Sequence, residues 1–173
     1  MKIDELHSAM IDRFKSAMPK LATAQKYFGR FNTDELDAIS VKTPALLLSF
    51  LGGNPVTESG NGEVSILCQF SAFFVTTDQR GLPRDTAAQN LCEATCLLLP
   101  DNRFEVKGVG APEKIAQQNL FSIKARTRAV TLCAVTWNQR VQTGTDVFAE
   151  DGTLPDTVYA RIDGEQTEIV GNE

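Results

Sequence analysis

The residues of this chain that could carry chemistry are few. His7 is the sole histidine, so a Ser-His-Asp or Cys-His arrangement would have to use it. No partner motif accompanies it, and we expect a solvent-facing or helix-edge histidine. Cys68, Cys92, Cys96 and Cys133 could in principle offer four thiolates to zinc. Such sites usually draw their ligands from short loops and knuckles, whereas these four lie in apolar runs without a Cys-x-x-Cys pair. Small buried thiols are expected instead, with no metal. The carboxylates cluster in polar stretches (Asp34, Glu35, Asp37; Glu150, Asp151). An acid/base pair of the glycosidase type needs one carboxyl in an apolar setting, so these read as solvated acids.

The stretch Ser49–Ser65, "SFLGGNPVTESGNGEVS", has the glycine content of a phosphate cradle. A Walker loop needs Gly-x-x-x-x-Gly-Lys-Ser/Thr opening a helix, because the helix amino end and the lysine hold the phosphates. Gly53 lacks that spacing, the stretch has no lysine, and a strand pattern follows. The dinucleotide fingerprint fails for the same reason. We expect a long connection between two strands, Gly52–Gly62, projecting from a sheet, with Gly53, Asn54, Glu58 and Asn61 as candidate protein contacts. Lys124, Arg126 and Arg128 stand at alternate positions and put three positive charges on one strand face. That face is either solvated or a charged contact with a partner or with the acidic carboxyl-terminal segment. No catalytic set and no cofactor site emerges from the residues.

The elements that would position these groups follow from periodicity. Ile3, Leu6, Met10, Phe14 and Ala17 mark one face of a helix from Ile3 to about Met18, closed by Pro19. Thr23–Phe28 reads as a short strand and Pro44–Leu51, "PALLLSFL", as a buried one. Glu63–Thr77 alternates over a long span, with Leu67 and Phe73 interrupting its polar side. A helix from about Thr86 to Leu99 follows, with Asp85 as its expected N-cap. Arg103–Lys107 reads as a strand, "APEKIAQQN" as a short helix with Pro112 in its first turn, Phe121–Arg126 as a strand, and "AVTLCAVTWNQRVQT" as another. One late edge strand is expected in "TLPDTVYARIDG", with disorder after it. The class is α+β: a twisted, mainly antiparallel sheet with two main helices packed on it.

Charge divides the chain. The net charge is -5. The segment from Gly144 onward carries eight acids and one base, while the part up to Thr143 carries 16 bases and 14 acids. A near-neutral body argues against a dedicated, sequence-specific nucleic-acid binder. We therefore read 1–143 as one α+β domain and 144–173 as an acidic extension, partly extended or disordered. "MKIDELHSAM" lacks a leader's apolar stretch and no run is long enough to cross a membrane, so a cytosolic origin with reduced thiols is expected.

The order of segments resembles a known family. The helix "IDELHSAMIDRFKSAM", the strand "TPALLLSFLGG" and the long strand "VSILCQFSAFFVTT" are similar to elements of the tail terminator (neck-region, minor tail) proteins of Mu-like contractile-tailed phages and prophages. So are "AAQNLCEATCLLLP" and "NLFSIKARTRAVTLCAVTWNQRVQTG". The similarity spans most of Met1–Gly144 as a pattern. It implies a non-enzymatic structural protein of virion assembly, with no cofactor. Such a protein caps the tail tube as a ring, typically a hexamer, and touches the tube, the sheath and the head-neck connector. It implies residence in the host cytoplasm during assembly, then in the virion tail. Two rivals stay open: a small ligand-binding or enzymatic α+β domain, and another neck or head-completion protein.

Overall fold

The computed structural model describes residues 2–29, 41–58, 62–120, 129–144, 157–162 and 165–171; for 57, 58, 157–162 and 165–171 it describes the backbone alone. The elements are α1 (Lys2–Ala17), β1 (Thr23–Phe28), β2 (Ala45–Glu58), β3 (Glu63–Thr77), α2 (Arg84–Leu98), β4 (Val109–Asn119), β5 (Val130–Gly144), β6 (Thr157–Ile162) and β7 (Glu165–Gly171). The first five strands form one open sheet in the order β1-β2-β3-β5-β4. The β1–β2 pair is parallel and the other pairs are antiparallel. The fold is α+β, as the alternation of the long strands predicts.

Both helices pack on one face of this sheet. Leu6, Met10, Ile11 and Phe14 of α1 and Ala88 and Cys92 of α2 join Leu46, Leu48, Phe70, Phe74, Val135 and Trp137 in one buried cluster. Aromatic rings fill its centre: Trp137 stacks on Phe70 at 5.9 Å and meets Phe14 at 6.3 Å. The opposite face carries a second buried cluster of Ala45, Leu47, Phe73, Val75, Leu132 and Ala134. This explains the unbroken run "ALLL": β2 is covered on both faces there, so its sequence does not alternate. It also explains why Phe73 interrupts the polar side of β3.

Several expectations need correction. Gly52–Glu58, most of the expected connector, is strand rather than a projecting loop. β2 continues through it to Glu58, paired with β3 from Gly52↔Gln69 to Glu58↔Val64. Two register shifts, after Phe50 and after Pro55, absorb extra residues as bulges. Residues 103–107 form turns rather than a strand. "APEKIAQQN" lies in β4 rather than a helix. An edge strand tolerates Pro112, and pairing with β5 overrides local helix preference. Asp85 sits in the first turn of α2 instead of capping it. The Arg84 N–H donates to Asp78 Oδ1 at 3.0 Å, and Asp85 accepts from the Thr131 hydroxyl. The acidic extension holds two paired strands, β6 and β7, where one edge strand and a disordered end were expected. The expected strand Phe121–Arg126 lies outside the described residues.

Candidate functional site

One end of the sheet supplies the candidate surface. β1 runs beside β2 only from Ala45 to Phe50, whereas β3 and β5 stay paired from Thr77↔Val130 to Glu63↔Gly144. Beyond Phe50, among the described residues, β2 is therefore the outer strand of the sheet. Burial falls along this arm: Ala45–Ser49 are buried, Phe50–Gly52 half-buried and Gly53–Val56 exposed.

The glycines of the arm have separate reasons. Gly52 has φ +131°, a region L-residues rarely adopt, and it follows the first bulge. Gly53 is set by packing. A Cβ there would lie 2.8 Å from Ile66 Cγ2 and 3.3 Å from Cys68 Sγ. The glycine keeps β2 close over the β3 side chains.

A shallow cleft of about 390 Å³ opens against this arm, lined by Gly52, Gly53, Asn54, Leu67, Gln69 and Asn138. Gln69 pairs in register with Asn138 on one side and Gly52 on the other. Each of the three amide side chains offers both donors and an acceptor, a set suited to peptide groups or another polar protein surface. A second cleft, of about 590 Å³, lies between α1 and the turns after α2, with Asp12, Arg13, Asp101, Asn102 and Glu105 in its wall. Asp101, Phe104 and Glu105 there have positive φ. Asn102 braces this segment, with its Oδ1 accepting the Phe104 N–H at 2.9 Å and its Nδ2 donating to Leu98 O at 3.2 Å.

Of the residues singled out from the sequence, Gly53 and Asn54 come together in the first cleft. Glu58 closes the β2 ladder opposite Val64. Asn61, Lys124, Arg126 and Arg128 lie outside the described residues. His7 is not solvent-facing. It is buried, its Nε2 is 2.8 Å from Leu48 O, and its ring meets Phe70 edge-on. Burial pushes its pKa below the usual 6.5, against the opposing effect of the Leu48 hydrogen bond.

The cysteines are core residues, as expected. Cys68, Cys92 and Cys133 are buried and Cys96 is half-buried. Burial pushes the Cys68 thiol up to about 11. Cys133 is raised by its hydrogen bond with Cys92 and then by burial, and its Sγ donates to Ala88 O at 3.3 Å. Among the described residues, no group of three or more His, Cys, Asp or Glu is placed to hold a metal.

Sequence reasoning missed Gln139, which is fully buried. Its Oε1 accepts the Trp137 indole N–H at 3.3 Å, and its Nε2 donates to Asn102 O at 3.1 Å and Gly110 O at 2.8 Å. Its place among Cys133, Val135, Trp137 and Val141 at period two was the available signal. It also missed the exposed apolar residues Phe28, Val56 and Leu97. No family model and no curated protein matches this chain.

Proposed function

We propose that the chain is a structural assembly subunit of the tail-terminator type. It caps a phage tail tube as a ring and presents a docking surface to the head-neck connector. The observation that carries this reading is the sheet arm, which ends in a row of neutral amides beside Gly52 and Gly53. Such a rim suits a polar protein contact. A ring also needs two different patches on each subunit, one meeting the other on its neighbour. The arm and the sheet edges give this chain distinct surfaces of that kind.

Electron microscopy of tails grown without the protein tests this reading. Over-long or uncapped tails are the expected result, and tails of normal length and ending would overturn it. A chain carrying Asn54→Ala, Gln69→Ala and Asn138→Ala should fold, since Asn54 and Gln69 are exposed and Asn138 is only half-buried, yet fail to restore normal tails. The rival ligand-binding reading rests on the 590 Å³ cleft with its mixed charges. It gains if tails are normal and Arg13→Ala abolishes binding of a small polar ligand.

A further inference from the structure

Two of the four thiols meet across the seam between α2 and the sheet. Cys133 lies on β5 and is held by ladders on both sides, opposite Phe74 of β3 and Asn119 of β4. Cys92 lies on the sheet-facing side of α2, whose buried residues are Ala87, Ala88, Cys92 and Thr95. Such small side chains let the helix backbone come close to the strand. Cys133 Sγ accordingly reaches Ala88 O, one helical turn before Cys92, at 3.3 Å. The two thiols are hydrogen-bonded to each other as well. Both residues belong to the same core cluster and are at most 1% exposed. Cys68 stands apart, opposite Gln139 and roughly 20 Å along β5 from Cys133 by strand rise. Cys96 lies one turn past Cys92 and is half-buried.

We propose that Cys92 and Cys133 form a dithiol switch, which a peroxide closes to a disulfide that fastens α2 to β5. The contact already made leaves side-chain rotation and a small approach of α2 to bring the sulfurs to bonding distance. Thiolates are the reactive form. The Cys133 hydrogen bond favours the Cys92 thiolate and outweighs the opposing effect of burial. Cys92 is therefore the thiol that attacks first. Its sulfur takes one oxygen from hydrogen peroxide as the O–O bond breaks, giving a sulfenic acid and a hydroxide that leaves as water. The Cys133 sulfur then attacks the Cys92 sulfur. The S–S bond forms as the S–O bond breaks, and the second hydroxide leaves with the Cys133 proton as water. Two electrons pass from the sulfur pair to the peroxide, and both thiol protons end in water. Peroxide is close to water in size, so local opening of the α2 seam admits it where a bulky thiol reagent is excluded.

The bond closes a loop of about 40 residues in the unfolded chain, which favours the folded state. It also ties a helix that rests on small side chains to a strand held on both sides. Under the tail-terminator reading the thiols stay reduced during assembly in the cytoplasm and close after release into an oxidising medium. The bond itself can be measured without that reading.

The test uses the full-length folded chain carrying Cys96→Ser, which leaves Cys92 as the one thiol of its tryptic peptide and prevents links through the half-buried position. The chain is treated with hydrogen peroxide, quenched, alkylated in denaturant and mapped by mass spectrometry. The expected product is a Cys92–Cys133 linked peptide, two hydrogens lighter than its parts, with Cys68 alkylated. The melting temperature should rise by about 5–15 °C and return on treatment with dithiothreitol. Chains that also carry Cys92→Ala or Cys133→Ala should show no peroxide-dependent rise. Failure to find the linked peptide in the folded chain would overturn the proposal, as would a link through Cys68 or one that forms only in denaturant. A linked chain that melts no higher would refute the fastening of α2. Normal tails without the protein, alongside an intact Cys92–Cys133 link, would sink the tail-terminator reading alone.

Discussion

Replacing Gln139 with leucine tests whether the core is organised around a satisfied polar group. The two side chains have similar volume, so the change leaves little cavity, and its cost comes from three partners losing their bond. The Trp137 indole lies inside the aromatic cluster, its side chain only 1% exposed. The carbonyls of Asn102 and Gly110 belong to half-buried residues, which water reaches in part. Leaving a buried polar group unsatisfied costs about 1–3 kcal/mol. With one fully buried donor and two partly hydrated acceptors, we expect Gln139→Leu to destabilise the chain by about 2–4 kcal/mol. For a chain of this length that lowers Tm by roughly 4–16 °C. Urea titration followed by the fluorescence of Trp137, the sole tryptophan, reads the loss directly. Hydrogen exchange should quicken first around Gly110 and in 101–108, because Gln139 ties both to β5. A loss under about 0.5 kcal/mol, or a gain, would refute the argument, since burying an apolar isostere would then outweigh the three bonds.

The other predictions concern residues whose surroundings set their behaviour. Burial holds His7 below 6.5 in the folded chain, so the unfolded chain takes up the proton first as pH falls. Stability should be complete above about pH 6.5 and decline below it; a chain with His7→Gln should lose that part of the slope, and an unchanged urea midpoint from pH 7.5 to 5.5 in the parent would contradict the assignment. In the native protein a thiol reagent at pH 8 should label Cys96 first, at a rate slowed because burial raises its own pKa, and Cys68, Cys92 and Cys133 only on unfolding, given their burial and the raised Cys68 pKa; two or more thiols labelled in the folded chain would count against the packing described. Gly53→Ala should cost about 1–3 kcal/mol by overpacking against Ile66, and adding Ile66→Ala should recover part of that loss in a double-mutant cycle. Additive losses would mean the two sites do not touch.

The parts of the fold legible in the sequence are those with one dominant signal. The α1 stripe and the β3 alternation each bury one continuous face, so periodicity alone marks them. Thr23–Phe28 is legible at its observed bounds, between Pro19 and Gly29, although it buries no continuous face. The signal failed where tertiary pairing decides. Pro112 favours a helix start locally, but Gly110 is anchored to Gln139 and the strand lies at an edge that proline does not spoil. The second strand of the carboxyl-terminal hairpin was foreshadowed by Asp163–Gly164, a dipeptide typical of tight hairpins, between two short apolar-alternating runs. His7 shows the opposite failure. A lone polar residue on an amphipathic helix gives no sign of burial until the strand carbonyl that satisfies it, Leu48 O, is in place 41 residues away.

The glycine stretch has the most consequence for function. Read as a projecting loop, Gly52–Gly62 would contact partners by wrapping its backbone around them and would tolerate trimming. Read as strand, its backbone groups toward β3 are spent in the ladder, and only four residues, 59–62, separate β2 from β3. On its outer side Pro55 and the bulges discourage strand addition. What remains available is the side-chain surface: Asn54 from β2, Gln69 from β3 and Asn138 from β5, held in place by three paired backbones. A rigid amide surface is suited to docking against a preformed partner with little ordering cost.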